Sequence, residues 1–401
     1  MDKSKSRALL AIAILAVSFV SQLNSIASVI MADLMELFPD AGPTAIQMVM
    51  QFGMIGGFPV SLIVGFLTRK FRIKPMICIG LAATFLGGIA PIIFHSSLVQ
   101  LYISAVIVGA GLGVMPPLLS TSILDNFEDK ASARMIGLNT TFGTGGSAAL
   151  TLLAGVICLG GWVNTYYLYF VALPAFIFAV FFMPAGDKPV PAPTGEKTKI
   201  PVPGRAWVMA IFLLVIFIGY TTFPINVGML VAALDIGDAA STGLSISIIT
   251  VVGALFGLVF QPIVKAVKSY IGAFTCFFGT AGMIIVCFAG NMPMIYVASV
   301  VLGIFFGASV AGAIYIVGRM CSPEQFGPSF SIIMSFMTLG FILSPILVNI
   351  VTPLWGGEGS LGAFTTSSVI LGITFVGQLI WGAWLRKAYP ESPQSTVTAA
   401  A

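Results

Sequence analysis

Ser18, Ser21, Gln22 and Ser25 fall within one third of a helix circumference at about 100° per residue, with Asn24 beside them. Asn139, Thr140, Gly143 and Ser147 gather in the same way further along the chain. Both groups interrupt runs that are otherwise apolar. Hydroxyls and amides so placed donate and accept hydrogen bonds, and among apolar residues they must face a neighbouring helix or a wet cavity. A single serine or threonine suits helix packing better. The larger amides of Gln22, Asn24 and Asn139 point as much to a ligand, because burying an amide without a partner is costly. The chemistry on offer is recognition of a neutral, amphipathic or weakly charged molecule, not bond making.

Catalysis would ask for His, Asp, Glu or Cys gathered at one depth, and the sequence shows no such gathering. The acids fall in loops or at run ends: Asp33, Glu36, Asp40, Asp235, Asp238 and Glu358 toward one side, and Asp2, Asp125, Glu128, Asp129, Asp187, Glu196, Glu324 and Glu391 toward the other. His95, the sole histidine, reads as a solvated loop residue ahead of a proton sensor. Cys78, Cys158, Cys276, Cys287 and Cys321 form no C-x-x-C pair and read as small core residues, so neither a disulfide frame nor a metal is expected. Gly109-x-Gly111-x-Gly113 lies mid-run without a preceding strand and reads as a place of close helix approach. No Walker A pattern is present, and no cofactor is expected.

The elements that carry these residues are set by composition. Of 401 residues, 58% are hydrophobic and only 8% charged, against about a quarter charged in soluble domains. With a mean hydropathy of +1.05 this is a chain that faces lipid. A net charge of +4 without a basic run argues against nucleic acid as a partner. Cutting wherever charge, Pro-Gly clusters or Asn/Asp interrupt about 20 apolar residues predicts twelve membrane spans. They are Ala8–Ala32, Thr44–Thr68, Pro75–Phe94, Leu98–Ile123, Met135–Cys158, Asn164–Met183, Ala206–Leu234, Gly243–Val264, Tyr270–Gly290, Pro293–Gly318, Gly327–Val351 and Leu361–Leu385. With that division all 18 Lys and Arg fall before span 1, after span 12 or in the loops between spans 2–3, 4–5, 6–7, 8–9 and 10–11. The positive-inside rule then makes that side, with both termini, cytoplasmic. Trp162, Trp207, Trp355, Trp381 and Trp384 sit at or near span ends, where indoles prefer the headgroup level.

The Pro-rich, mixed-charge stretch from residue 185 to 205 reads as a cytoplasmic linker between a bundle of residues 1–184 and a bundle of residues 206–401. The two share a weak repeat. Leu101-Tyr102 with Gly109 and Gly113 is echoed by Ile295-Tyr296 with Gly303 and Gly307, and Asn24 and Asp33 by Asn226 and Asp235. Pro116-Pro117, Pro224 and Pro345 mark helices whose backbone carbonyls a cavity or a neighbour must satisfy.

Twelve spans as six plus six, a central linker and the run Gly65-Phe66-Leu67-Thr68-Arg69-Lys70-Phe71-Arg72-Ile73-Lys74, similar to the pattern G-x-L-A-D-R-x-G-R-K, together resemble the major facilitator superfamily. Gly161-Trp162 and the aromatics that follow it add to the likeness. Arg69 stands where the family carries an acid and Arg72 at its second glycine. Ala105 replaces an arginine common in proton exchangers, and span 5 lacks the Gly-Pro pair of many drug/proton antiporters.

The resemblance implies an all-α fold of two pseudo-symmetric six-helix bundles. Spans 1, 4, 7 and 10 would line a central cavity and spans 2, 5, 8 and 11 would flank it, which adds Gln51, Tyr220, Asn226, Tyr315 and Ser335 to Ser21, Gln22, Asn24, Ser25, Asn139 and Thr140 as solute contacts. Asp33, Asp125, Arg69 and Arg134 become candidates for coupling or gating. The expected protein is a monomeric, multi-pass carrier of the cytoplasmic membrane. It moves a small organic solute by alternating access, with the proton as candidate coupling ion. An exporter of amphipathic compounds and a membrane-embedded sensor are the alternatives.

Overall fold

Long apolar runs in a medium without water must close every backbone hydrogen bond internally, and the chain does so with helices throughout. The computed structural model describes residues 3–68, 70–184 and 202–389. Among these residues the α-helices are α1 (Lys3–Val20), α2 (Met31–Leu37), α3 (Gly42–Leu67), α4 (Ile73–Ile93), α5 (Leu98–Asn126), α6 (Asp129–Cys158), α7 (Ala172–Phe182), α8 (Gly204–Ala233), α9 (Ala239–Val267), α10 (Ile271–Cys287), α11 (Met292–Met320), α12 (Pro323–Val351) and α13 (Gly359–Ala388). Two longer stretches are 3-10 helix: Leu23–Ile30 joins α1 to α2, and Trp162–Val171 leads into α7.

Eleven stretches of the described residues are long and apolar enough to cross a bilayer. One of them, Ala239–Cys287, has 49 residues. As a straight helix it would measure about 74 Å, more than twice a hydrocarbon core of about 30 Å. It is broken instead by a 3-10 turn at Lys268–Tyr270, where Lys268 takes φ +54°, so α9 and α10 are separate crossings. Eleven stretches therefore hold twelve spans.

The described residues fall into two compact units. One comprises α1 to α7 together with Asp238–Ser247, the first turns of α9; the other comprises α8 and everything from Ile248 onward. Those first turns of α9 are capped reciprocally. The Ser241 amide donates to Asp238 Oδ1 at 2.8 Å and the Asp238 amide to Ser241 Oγ at 3.3 Å. These bonds favour the ionised Asp238 and hold its carboxyl below the usual carboxylate range.

Within each unit, glycine lets backbones approach. In the first, Gly109 and Gly113 of α5 lie against the backbone of Gly53 and Gly57 in α3, while Gly111 faces Gly80 and Thr84 of α4. The alternating glycines thus serve two helix contacts at once. In the second unit Gly303 and Gly307 of α11 meet Ile249, Val252 and Gly253 of α9. The repeat read in the sequence is used for the same purpose twice. Any side chain at these positions would overlap a neighbouring helix.

Candidate functional site

In the first unit the polar stripe of span 1 lies on a helix that changes form. The Ser21 amide is shared between Val17 O at 3.0 Å and Ser18 O at 3.2 Å, Ser21 and Gln22 turn, and the chain tightens into the 3-10 segment Leu23–Ile30. No Gly or Pro lies in the break. An eight-residue 3-10 segment exceeds the usual three or four and marks a place held by its surroundings. Ser18 Oγ donates to Ile14 O at 2.7 Å and meets Asn139 Oδ1 of α6, and Ser25 Oγ pairs with Thr151 Oγ1 at 2.9 Å. On the other flank Asn24 Nδ2 points to Met50 O of α3 at 3.4 Å, and the missing side chain of Gly53 leaves room for that amide.

This geometry corrects the angular grouping expected of span 1. A turn of about 100° per residue holds only as far as Val20; beyond it, at about 120° per residue, positions three apart eclipse. Asn24 consequently addresses α3 while Ser18 and Ser25 address α6, and Gln22 is left exposed between them. Thr140 is also exposed, its hydroxyl returned to Ile136 O at 3.1 Å. Side chains built at nearby Gly137 and Gly145 would meet nothing within 4 Å, so this part of α6 is open.

Gln51 of α3 is 1% exposed, yet neither its Nε2 nor its Oε1 has a hydrogen-bond partner among the described residues. Leaving such a group unsatisfied costs about 1–3 kcal/mol. A buried amide of this kind asks for a polar group from elsewhere.

The second unit treats its candidates differently. Tyr220 is buried in a nest of phenyl rings, stacked on Phe306 at 5.1 Å between centroids and flanked by Phe217, Phe305 and Phe341. Asn226 is 3% exposed, and its Nδ2 donates to Thr222 O of its own helix at 3.0 Å. Tyr315 lies one turn before Arg319, which donates to its hydroxyl at 3.5 Å, close to the end of α11. Ser335 Oγ bonds Ser331 O at 2.9 Å within α12. Despite Pro224 and Pro345, α8 and α12 continue through.

Among the coupling candidates, Asp33 lies in the first turn of α2 and accepts the Sγ–H of Cys158 at 3.4 Å. Asp125 and Arg134 are exposed near the end of α5 and the start of α6; Arg69 lies outside the described residues. Close by, Arg7 and Glu128 form an ion pair at 3.2 Å, which their exposure of 59% and 83% makes weak. His95 holds Pro91 O through Nδ1 at 2.9 Å and meets Trp162 edge-on, as befits the end of a helix. No group of three or more His, Cys, Asp or Glu suited to a metal occurs among the described residues. The sequence reading missed Thr151 and the break at Gln22. A lone hydroxyl in the apolar stretch of residues 148–158 and a helix break without Gly or Pro leave no signal of their own.

The sequence profile of the Major Facilitator Superfamily matches residues 9–284 and 209–400. The chain belongs to this family. No curated relative matches it in sequence. Solved structures that share its fold include a mutant of the nucleoside transporter NupG, with a TM-score of 0.76 at 13% identity over 93% of this chain and 99% of that one. An auto-inhibited peptide transporter of the POT family gives 0.72 at 13% identity over 94% and 97%. A D-xylose-proton symporter gives 0.68 at 13% identity over 95% and 97%. At such identities the likeness establishes the fold. This member of the superfamily is a multi-pass membrane transporter, and its all-helical, twelve-span architecture agrees with the expectation from sequence.

Proposed function

We propose that the chain carries a small neutral, amphipathic or weakly charged organic solute across the cytoplasmic membrane by alternating access. The observation that carries the reading is the orphaned Gln51 amide in the same unit as a span 1 whose α-helix breaks at Gln22. Broken helices and unsatisfied amides at mid-membrane are where transporters of this architecture bind solute. Ser21, Gln22, Asn24, Ser25, Gln51, Asn139 and Thr140 supply hydroxyl and amide contacts and no fixed charge. In the second unit Tyr220 and its four phenylalanines offer apolar surface suited to an amphipathic solute, with Asn226, Tyr315 and Ser335 in lesser roles. Asp33 is the proposed proton-coupling group, because its carboxylate already accepts a hydrogen bond from the Cys158 thiol. Both termini face the cytoplasm, as the one-sided placement of all 18 cations favours.

A thermal-shift screen of purified protein against neutral metabolites identifies the solute, since a ligand of the folded state raises its midpoint. Uptake of that solute into proteoliposomes is then measured with and without a pH gradient. Accumulation that needs the gradient and is lost in Asp33→Asn supports coupling; equal uptake in both conditions removes it and leaves facilitated diffusion. Absence of flux with retained binding would replace the carrier with a sensor.

A further inference from the structure

The second unit holds a cavity of about 340 Å³ at the end where α9 and α11 finish, α10 starts and α13 finishes. Its size is at the small end of ligand pockets. Three cations from three elements line it: Lys268 from the turn between α9 and α10, Arg319 from the last turn of α11 and Arg386 from the last turn of α13. Gathering like charges around one concavity raises its potential for an anion.

The local structure explains how the charges come together. Lys268 takes the left-handed conformation, which reverses the chain and presents Lys268, Ser269 and Tyr270 at the cavity. Gly382 of α13 lies against that turn; a Cβ there would come within 2.8 Å of the Tyr270 ring and 3.0 Å of Ser269 O. This close approach brings Arg386, one helical turn later, to the rim. Arg319 is held in place by acceptors on three sides: Ser269 Oγ at 3.0 Å, the Tyr315 hydroxyl at 3.5 Å and the Tyr389 carbonyl. Tyr389 is fixed in turn by Arg205, which donates to its hydroxyl and lies over its ring at 5.2 Å. The guanidinium fork of Arg319 is thus oriented before any ligand arrives, while Lys268 and Arg386 are exposed at the rim.

We propose that this cavity binds a phosphate group, carried by an anionic phospholipid headgroup or by a free organic phosphate. Tyr270, with Ala266 and Val267 of the same lining, suits the glycerol and acyl stem of a lipid, and basic pockets between spans on the side of the basic loops recognise such headgroups. The cavity shares no residue with the polar cluster of the first unit, so its occupancy can be read without the transported solute.

The test uses the full chain in detergent, titrated with short-chain phosphatidylglycerol, short-chain phosphatidylcholine and glycerol phosphate, with affinity read by thermal shift and bound lipid counted by native mass spectrometry. Phosphatidylglycerol is expected to bind in preference to phosphatidylcholine. Each of Lys268→Ala and Arg386→Ala should weaken it about fivefold. Lys268→Arg with Arg386→Lys should restore affinity, and Lys265→Ala, an exposed cation outside the cavity, should change nothing. Competition by glycerol phosphate assigns the site to free phosphates as well; its absence assigns it to lipid alone. Equal binding of the two lipids together with no response to glycerol phosphate, or equal losses from Lys265→Ala and Arg386→Ala, overturns the proposal.

Discussion

Span 1 and its repeat partner span 7 start from similar sequence and end differently. Asn24 and Asp33 in the first correspond to Asn226 and Asp235 in the second. Span 1 has neither Gly nor Pro near its middle, yet its α-helix breaks at Gln22 and tightens into 3-10 helix. Span 7 contains Pro224 and stays a single helix of 30 residues, α8. The difference lies in what surrounds them. The break in span 1 is flanked by hydrogen-bonding partners on two sides, Asn139 and Thr151 on α6 and Met50 O on α3. Span 7 is packed on all sides, with every residue from Ile216 to Val231 buried; Ser344 and Ser367 of neighbouring helices bond Ile218 O and the Thr222 hydroxyl, and the helix stays closed. A proline costs a helix one hydrogen bond, but a fully packed shell leaves the chain nowhere else to go. Around the exposed Gln22 the shell is open, and there the polar partners offer an alternative that a propensity scale does not contain.

Breaking the polar clamp around span 1 should have the largest effect. Gly53→Val forces a side chain into the space of the Asn24 amide, and overpacking of this kind costs about 1–3 kcal/mol. Transport in proteoliposomes should fall about tenfold or more, with a lowered melting midpoint. A variant with wild-type flux would show that the Asn24 position is not used.

The two repeat-related asparagines should then separate binding from stability. Asn24→Ala should weaken a solute-induced thermal shift by about five- to tenfold in affinity while leaving the solute-free midpoint nearly unchanged. Asn226→Ala should lower the solute-free midpoint, since its amide is buried and bonded to Thr222 O. Gln51→Leu sharpens the contrast: removing an amide without a partner should leave stability equal or raise it by about 1 kcal/mol, yet reduce transport. If Gln51→Leu is destabilised and fully active, the amide serves the fold alone.

A smaller effect is expected at Asp238. Asp238→Ala removes the cap at the start of α9, a change of about 1 kcal/mol. Because the folded-state carboxyl titrates below its ordinary value, its contribution is complete above the normal carboxylate range and disappears as pH falls through the lowered one. Wild type and Asp238→Ala should therefore differ in melting midpoint at neutral pH and converge in acid. The smallest effect belongs to Pro224→Ala, expected within about 1 kcal/mol of wild type because α8 is already continuous; a larger change would mean that Pro224 shapes span 7 after all.

Much of this was legible in residue types. Membrane insertion and the number of spans follow from apolar runs of about 20 residues and from cations confined to alternate loops, because lipid penalises charge and free backbone groups wherever they occur, and the likeness of the run of residues 65–74 pointed to the family. The glycines of α5 could be read as contact points for the same reason: only a missing side chain lets helices approach so closely. Tertiary packing alone decided which polar residues are consumed. It paired Ser25 with Thr151, turned Asn226 back on its own helix, left Gln51 unpartnered and drew Lys268, Arg319 and Arg386 from three separate elements into one cavity. Hydrogen bonds and charge clusters depend on groups far apart in sequence meeting within about 3 Å, and periodicity along one helix carries no record of which helix stands opposite.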